Sequence, residues 1–424
     1  MESLNKTPII PKWDEFVKDV ESIFLSTKLN NTGEVAQYIP QLALVDPDLF
    51  GVSICTIDGQ ILELGDTKKM FSVQSCSKPI TYCIAVEEND EKYVHNFVGR
   101  EPSGRNFNEL CLNHENIPHN PLINSGSIMC CSLIDYQKSQ ADRFEHIVSY
   151  WNKMLGHETV GFNCGTYLSE KDTADRNRCL AYMMQEKKAF QKGKNEMSRP
   201  WTNDDLRKSL ELYFQCCSIE VNCQKMAILA STFANGGICP LTSTNVFASN
   251  TVKNVLSLMH TCGMYDYSGE WSYLVGIPAK SGVSGVIYAV IPNVMGIAVY
   301  SPRLDLIGNS VRGVEFFKKF IEMFNFHVFD SLVVSDKKKI TKTHAYEESF
   351  TTYLLLEASN KGDLTTVKNL IKQGIDVNTA DYDNRTALHI AVASSNDDIV
   401  QFLLDNGADK NLCDRWNNKP FDNI

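Results

Sequence analysis

Apolar positions recur at helical spacing early in the chain. Trp13, Phe16, Val17, Val20, Ile23 and Phe24 predict an amphipathic first helix. The spacing then changes to strands. Val52 to Ile57 and Ile61 to Leu64 are strand-like and are joined by Asp58-Gly59, a tight-turn dipeptide, which predicts a β-hairpin. From about residue 75 to 265 the pattern is mainly helices and loops, with a polar surface loop expected over Gln191 to Lys208, around Gly193 and Pro200. Strands return at Val286 to Ile291 and Ile297 to Tyr300, separated by Pro292-Asn293, and a helix carrying Val311, Val314, Phe317, Phe320, Ile321 and Phe324 follows. Strands, many helices, strands again and a closing helix make an α+β order. It predicts one antiparallel sheet with helices packed on it.

Polar residues from Asp330 to Glu348, including Lys337-Lys338-Lys339, predict a linker, and beyond it the chain repeats. Gly374 and Gly407 lie 33 residues apart, and Asp376/Asp409, Asn378/Asn411 and Asp381/Asp414 share that offset. Thr386-Ala387-Leu388-His389-Ile390-Ala391 matches the T-P-L-H-x-A ankyrin signature except at Ala387. One good ankyrin repeat is expected here, with a partial one before it and a last one cut off at Phe421. The expected division is a catalytic domain over 1–329, a linker over 330–349 and a small all-α ankyrin tail over 350–424.

Composition narrows the function. A net charge of -10 argues against a nucleic-acid footprint. The 14 cysteines include the adjacent pairs Cys130-Cys131 and Cys216-Cys217 but no C-x-x-C, a usage that fits buried free thiols in a reducing compartment. His114-Glu115 and His119 are one position off the metalloprotease spacing, and Pro118 interrupts any helix there, so neither a metal nor a cofactor is expected. Met1 to Lys6 carry no signal-peptide or presequence pattern, and no apolar run is long enough to span a membrane. The expectation is an intracellular, cytoplasmic protein, or a mitochondrial one if a presequence is missing.

The candidate chemistry lies in Phe71-Ser72-Val73-Gln74-Ser75-Cys76-Ser77-Lys78-Pro79. Ser75 and Lys78 are three residues apart, on one face of a helix whose start Pro79 signals. A serine hydroxyl needs a neighbouring base to become a nucleophile, and a lysine can be that base if burial lowers its pKa. The bland alternative is a helix start with a solvated lysine. Lys280-Ser281-Gly282, placed just before a strand, resembles the K-T-G element of serine β-lactamases, although no S-D-N occurs. Together they point to acyl transfer without naming a substrate.

Further runs carry a resemblance to animal glutaminases of the kidney type. They include Tyr38-Ile39-Pro40-Gln41-Leu42, Glu101-Pro102-Ser103-Gly104, Pro118-His119-Asn120-Pro121 with Asn124, Cys217-Ser218-Ile219-Glu220-Val221, Ala234-Asn235-Gly236-Gly237 and Pro278-Ala279 before Lys280. The similarity extends from about residue 35 to 325. It implies a serine β-lactamase-like fold and hydrolysis of L-glutamine to glutamate and ammonia through an acyl-enzyme. It also implies Ser75 as nucleophile, Lys78 or Tyr265 as proton shuttle, and the N–H groups of Ser75 and Val283 as oxyanion hole. Tyr38, Gln74, Ser75, Asn124, Glu170, Asn177, Tyr213, Tyr265 and Val283 match the family's substrate positions, with Glu170 suited to the substrate ammonium. A homotetramer able to form filaments, and inorganic phosphate as activator, are implied as well. Glu109 and Cys111 stand where a lysine and an aromatic residue are usual in the family's mobile loop, a departure that bears on phosphate activation. Two alternatives remain: another serine acyl-transfer hydrolase of this fold, and an inert domain carrying ankyrin repeats as the working part.

Overall fold

The structure, a computed structural model, describes residues 9–10, 12–156, 158–191, 201–330, 344–372 and 374–422. The chain divides into two units, one of Lys12–Glu322 with Phe326–Val328 and one made mainly of Phe329–Ile424.

The larger unit is built on a five-stranded antiparallel sheet in the order β2-β1-β8-β7-β6. Its strands are β1 (Gly51–Thr56), β2 (Ile61–Gly65), β6 (Ala279–Gly282), β7 (Val286–Ile291) and β8 (Met295–Tyr300). The hairpin turn falls where Asp58-Gly59 places it, with Gly59 at φ +91°, and the distant strands meet through pairs such as Ser53 with Ala298. A second sheet, β3-β5-β4, joins Phe71–Ser72, Ile219–Val221 and Gly161–Phe162. These strands are only two or three residues long, too short to show alternation, and the sequence pattern does not reveal them.

The helices before the small sheet's central strand are α1 (Trp13–Lys28), α2 (Lys78–Asn89), α3 (Glu91–Val94), α4 (Asn124–Leu133), α5 (Gln140–Met154), α6 (Cys164–Asp172), α7 (Asp175–Glu186) and α8 (Asn203–Cys217). After it come α9 (Cys223–Ala234), α10 (Ser249–Cys262), α11 (Ser268–Leu274) and α12 (Val311–Met323). Every residue of β1, β7 and β8 is buried because helices cover both faces of the large sheet. On one face α9 runs so close to β8 that a Cβ on Gly296 would sit 2.1 Å from the Ser231 nitrogen. On the other, Gly313 of α12 lies over Ile287, and α1 packs on α12 through Phe16 and Phe320, edge to face at 6.2 Å. The expected α+β architecture is therefore present.

One expectation needs correction and another refinement. Residues 192–200 of the expected 191–208 loop lie outside the described residues, but Asn203 to Lys208 are helical. Thr202 and Asp205 form a capping box that starts α8 there, and this outweighs the polarity of the stretch. Lys280-Ser281-Gly282 does precede the strand β7 as expected, but it is itself strand, making up most of β6.

In the smaller unit, α13 (His344–Lys361) and α14 (Leu364–Lys372) form one helix pair, and α15 (Ala387–Ala393) and α16 (Asp397–Asp405) a second. The first repeat thus has both helices rather than being partial, and α13 begins inside the stretch read as linker, whose residues 331–343 lie outside the described ones. Leu355, Val367, Leu388, Ile399 and Leu403 form this unit's own core. Thr386 and His389 cap α15 reciprocally, and His389 Nε2 lies 3.2 Å from the Asn418 carbonyl, so the histidine bonds locally.

Candidate active site

The turn that carries Ser75 is fixed by the small sheet. The Val73 N–H donates to the Ile219 carbonyl at 2.9 Å. A 3₁₀ turn, Gln74–Ser77, then runs directly into α2 with Pro79 in the first turn. Ser75 therefore lies just ahead of the helix and not on it. Gln74 sits at φ +48°, a left-handed conformation that costs about 1 kcal/mol or more for a non-glycine residue and is retained only where the surroundings enforce it. Its side chain is tied down, Nε2 donating to Glu170 Oε2 at 3.3 Å and to the Cys217 carbonyl at 3.4 Å. Gly282 of β6 lets this turn approach, since a Cβ there would meet the Val73 carbonyl oxygen at 2.9 Å.

Lys78 is fully buried, and its Nζ lies 2.8 Å from Ser75 Oγ and 2.7 Å from Asn124 Oδ1. Burial lowers its pKa to about 8, against the opposing pull of Cys217 and Glu170, so the neutral amine is within reach near physiological pH. The chain continues outward, with Asn124 Nδ2 donating to Asn177 Oδ1 at 2.8 Å. Lys280 is also fully buried, and burial together with the charge of Lys78 brings it to about 7. Its Nζ donates to the Ser281 carbonyl at 2.6 Å and lies 4.5 Å from the centre of the Tyr265 ring. Burial raises Glu170 to about 7, with the Gln74 hydrogen bond and Lys78 pulling the other way.

Tyr265 occupies a second strained turn, at φ +56°, held by the Ser268 hydroxyl donating to its carbonyl at 2.7 Å. Burial pushes its phenol strongly up, while the hydroxyls of Ser75 and Ser281 pull it down. The Tyr265 hydroxyl makes no hydrogen bond of ordinary geometry to any described group, whereas Lys78 is in contact with Ser75. Of the two candidate shuttles, the lysine is the one within hydrogen-bond distance of the Ser75 hydroxyl.

A cavity opens on this cluster. Tyr38, Gln74, Ser75 and Asn124 line it on one side, and Glu170, Asn177 and Tyr213 complete it from α6, α7 and α8. The remaining two expected residues, Tyr265 and Val283, stand behind it in an apolar wall with Ile39, Leu42 and Leu304, against which Phe107 packs. All nine substrate positions are thus brought together. Sequence reasoning missed Phe107, whose ring is 4.7 Å from that of Tyr265, and Arg176, which lines the cavity beside Asn177. It had noticed Lys280 only as part of a strand motif.

Comparison with known proteins identifies the family. The family model Glutaminase matches residues 33–329, and a model of ankyrin repeats in three copies matches 321–414. The rat protein "Glutaminase liver isoform, mitochondrial" is 45% identical over 423 residues, 99% of this chain and 69% of that protein. The glutaminase of the cyanobacterium Trichormus variabilis is 41% identical over 323 residues, 76% of this chain and 92% of that one. The solved structure of the "Probable glutaminase ybaS" superposes with a TM-score of 0.69 at 33% identity, covering 75% of this chain and 99% of the other. The chain belongs to the glutaminase family, enzymes that hydrolyse glutamine, and carries ankyrin repeats at its C-terminal end.

Proposed function

We propose that this chain hydrolyses L-glutamine through a glutamyl ester on Ser75. The observation that carries the reading is the 2.8 Å contact between Lys78 Nζ and Ser75 Oγ inside a buried site that brings the lysine to about 8. Neutral Lys78 accepts the Ser75 proton as Oγ attacks the side-chain carbonyl of glutamine. The N–H groups of Ser75 and Val283 receive the developing oxyanion. The C–N bond then breaks as the amide nitrogen gains a proton, passed from Lys78 or through Tyr265, and ammonia leaves. Water attacks the ester by the reverse sequence and releases glutamate. Glu170 holds the substrate ammonium, supported by its place in the cavity beside Gln74.

Family membership further supports a homotetramer, with filament formation and phosphate activation as properties to test by light scattering, electron microscopy and phosphate titration. Glu109 already pairs with Arg105 at 2.9 Å, which supports weak phosphate activation in this loop. Among the described residues no helix is long and apolar enough to cross a membrane. The mitochondrial descriptor of the rat relative supports that compartment, and localisation of the tagged full-length chain decides between it and the cytoplasm.

The direct test combines ammonia release with covalent trapping. The wild-type chain should release ammonia from glutamine, and a glutamine-like electrophile should label Ser75 in peptide mapping. Ser75→Ala should lose turnover by about 10⁴-fold or more while remaining folded. Labelling at a cysteine, or retention of more than about a tenth of the activity, removes Ser75 from the mechanism.

A further inference from the structure

The residues assigned above leave one end of the substrate without a counter-charge. Resting on the reading as a glutaminase, the ligand is a free amino acid with an ammonium and a carboxylate, and the cavity must meet both. Glu170 meets the ammonium. For the carboxylate the assigned set offers only neutral donors, Tyr38, Asn124, Asn177 and Tyr213. The two buried lysines are not free to do it. Lys78 is committed to Ser75 and Asn124, and Lys280 donates to a backbone carbonyl behind the wall and does not line the cavity.

We infer that Arg176 binds the α-carboxylate of the substrate and selects for amino acids that carry one. Arg176 lines the same cavity as Ser75 and Glu170 and is the only lysine or arginine among the described residues that does so. Its neighbours are matched with other partners, Asp175 with Arg178 at 3.1 Å and Lys171 with Glu211 at 3.0 Å. No ion pair or hydrogen bond engages the Arg176 side chain among the described residues, so its planar fork of donors is available. Glu170 in α6 and Arg176 in α7 form no ion pair with each other. Opposite charges held unpaired at one cavity suit a zwitterion. The position adds to the attraction: Arg176 lies in the first turn of the 12-residue α7, whose N-cap residue Ala174 supplies no side-chain cap, and both line the cavity. Arg176 is exposed at the mouth, as a group that engages the ligand on entry must be.

The test is steady-state ammonia release by the full-length chain on two substrates, L-glutamine and its α-methylamide, in which the carboxylate is replaced by a neutral group. For Arg176→Gln we expect the KM for glutamine to rise roughly 10- to 100-fold, with kcat changed less than about threefold. The α-methylamide should be a poor substrate for both proteins, with the same kcat/KM within about twofold. Arg176→Lys keeps the charge but loses the bidentate fork, so it should fall between the two; it also serves if the glutamine variant is less well folded. An unchanged KM for glutamine, an equal loss on both substrates, or a loss confined to kcat each overturns the inference. A wild-type chain inactive on glutamine overturns instead the reading on which the inference rests.

Discussion

The two units treat the same residue type in opposite ways. In the catalytic unit Lys78 is fully buried and its pKa is lowered to about 8. In the repeat unit Lys361 is exposed and pairs with Glu357 one turn away at 2.7 Å, which raises its pKa. The histidine and threonine that cap α15 lie three residues apart, while the bonds that hold Gln74 span 96 and 143 residues. The repeat unit is built from local contacts between matched groups. The catalytic unit gathers two lysines and a carboxylate from distant segments and keeps them away from water, where their ordinary charge states are costly. That cost lowers the pKa of Lys78, as the proposed mechanism requires of its base.

The largest effect that sharpens this contrast is expected at Lys78. Lys78→Arg preserves the charge but cannot give up its proton in the working pH range. Turnover should fall by about 10³-fold or more, nearly as far as for Lys78→Ala. Substantial activity in the arginine variant, measured by ammonia release, would assign Lys78 to electrostatic support and shift the base to Tyr265.

How much of this was legible in the sequence depended on the range of the contacts. The ankyrin cap at Thr386 and His389 was readable because the whole device lies within one 33-residue period. The Asp58-Gly59 hairpin was readable for the same reason. Ser75 and Lys78 could be paired from spacing, but whether the lysine was buried could not, because Asn124 and the wall at Phe107 come from far along the chain. The family resemblance, not the pattern, supplied Glu170 and Asn177, which on their own read as a solvated helix face. Arg176 escaped for that same reason. The left-handed backbone at Gln74 and Tyr265 has no local signal, since neither is a residue type that favours it.

A smaller effect separates the units through pH. Glu170 is raised to about 7 in the folded enzyme and must be ionised to hold an ammonium, so KM for glutamine should fall as pH rises from 6 to 8. Neutral Lys78 becomes more abundant as pH rises through about 8, so kcat should climb over the next unit or so. Stability runs the other way for Glu170. Its folded pKa exceeds the unfolded value of 4.5, so its contribution is complete below about 4.5 and is lost as pH rises through about 7. Glu170→Gln removes that loss. The Tm of the variant should gain on the wild type between pH 5 and pH 8, while its KM for glutamine rises by about tenfold or more. A constant Tm difference across that range would show that Glu170 does not titrate in the buried site.

The smallest effect belongs to the repeat unit, and it tests whether the two styles of construction are independent. Thr386 caps α15: its hydroxyl accepts from the His389 N–H, and its own N–H donates to His389 Nδ1 at 3.1 Å. Thr386→Ala removes one half of this reciprocal cap. Loss of an N-cap side chain costs about 1 kcal/mol. The threonine is 2% exposed, so water cannot easily replace the lost partner. The repeat unit has its own core and contains none of the residues proposed for chemistry, which all lie between Tyr38 and Val283. The variant should therefore melt its repeat helices a few degrees earlier by circular dichroism, with kcat and KM for glutamine within about twofold of wild type. If kcat instead falls by more than about tenfold while the melting shift stays this small, the repeats hold the catalytic unit in its active state, and the separation of local from long-range construction does not extend to function.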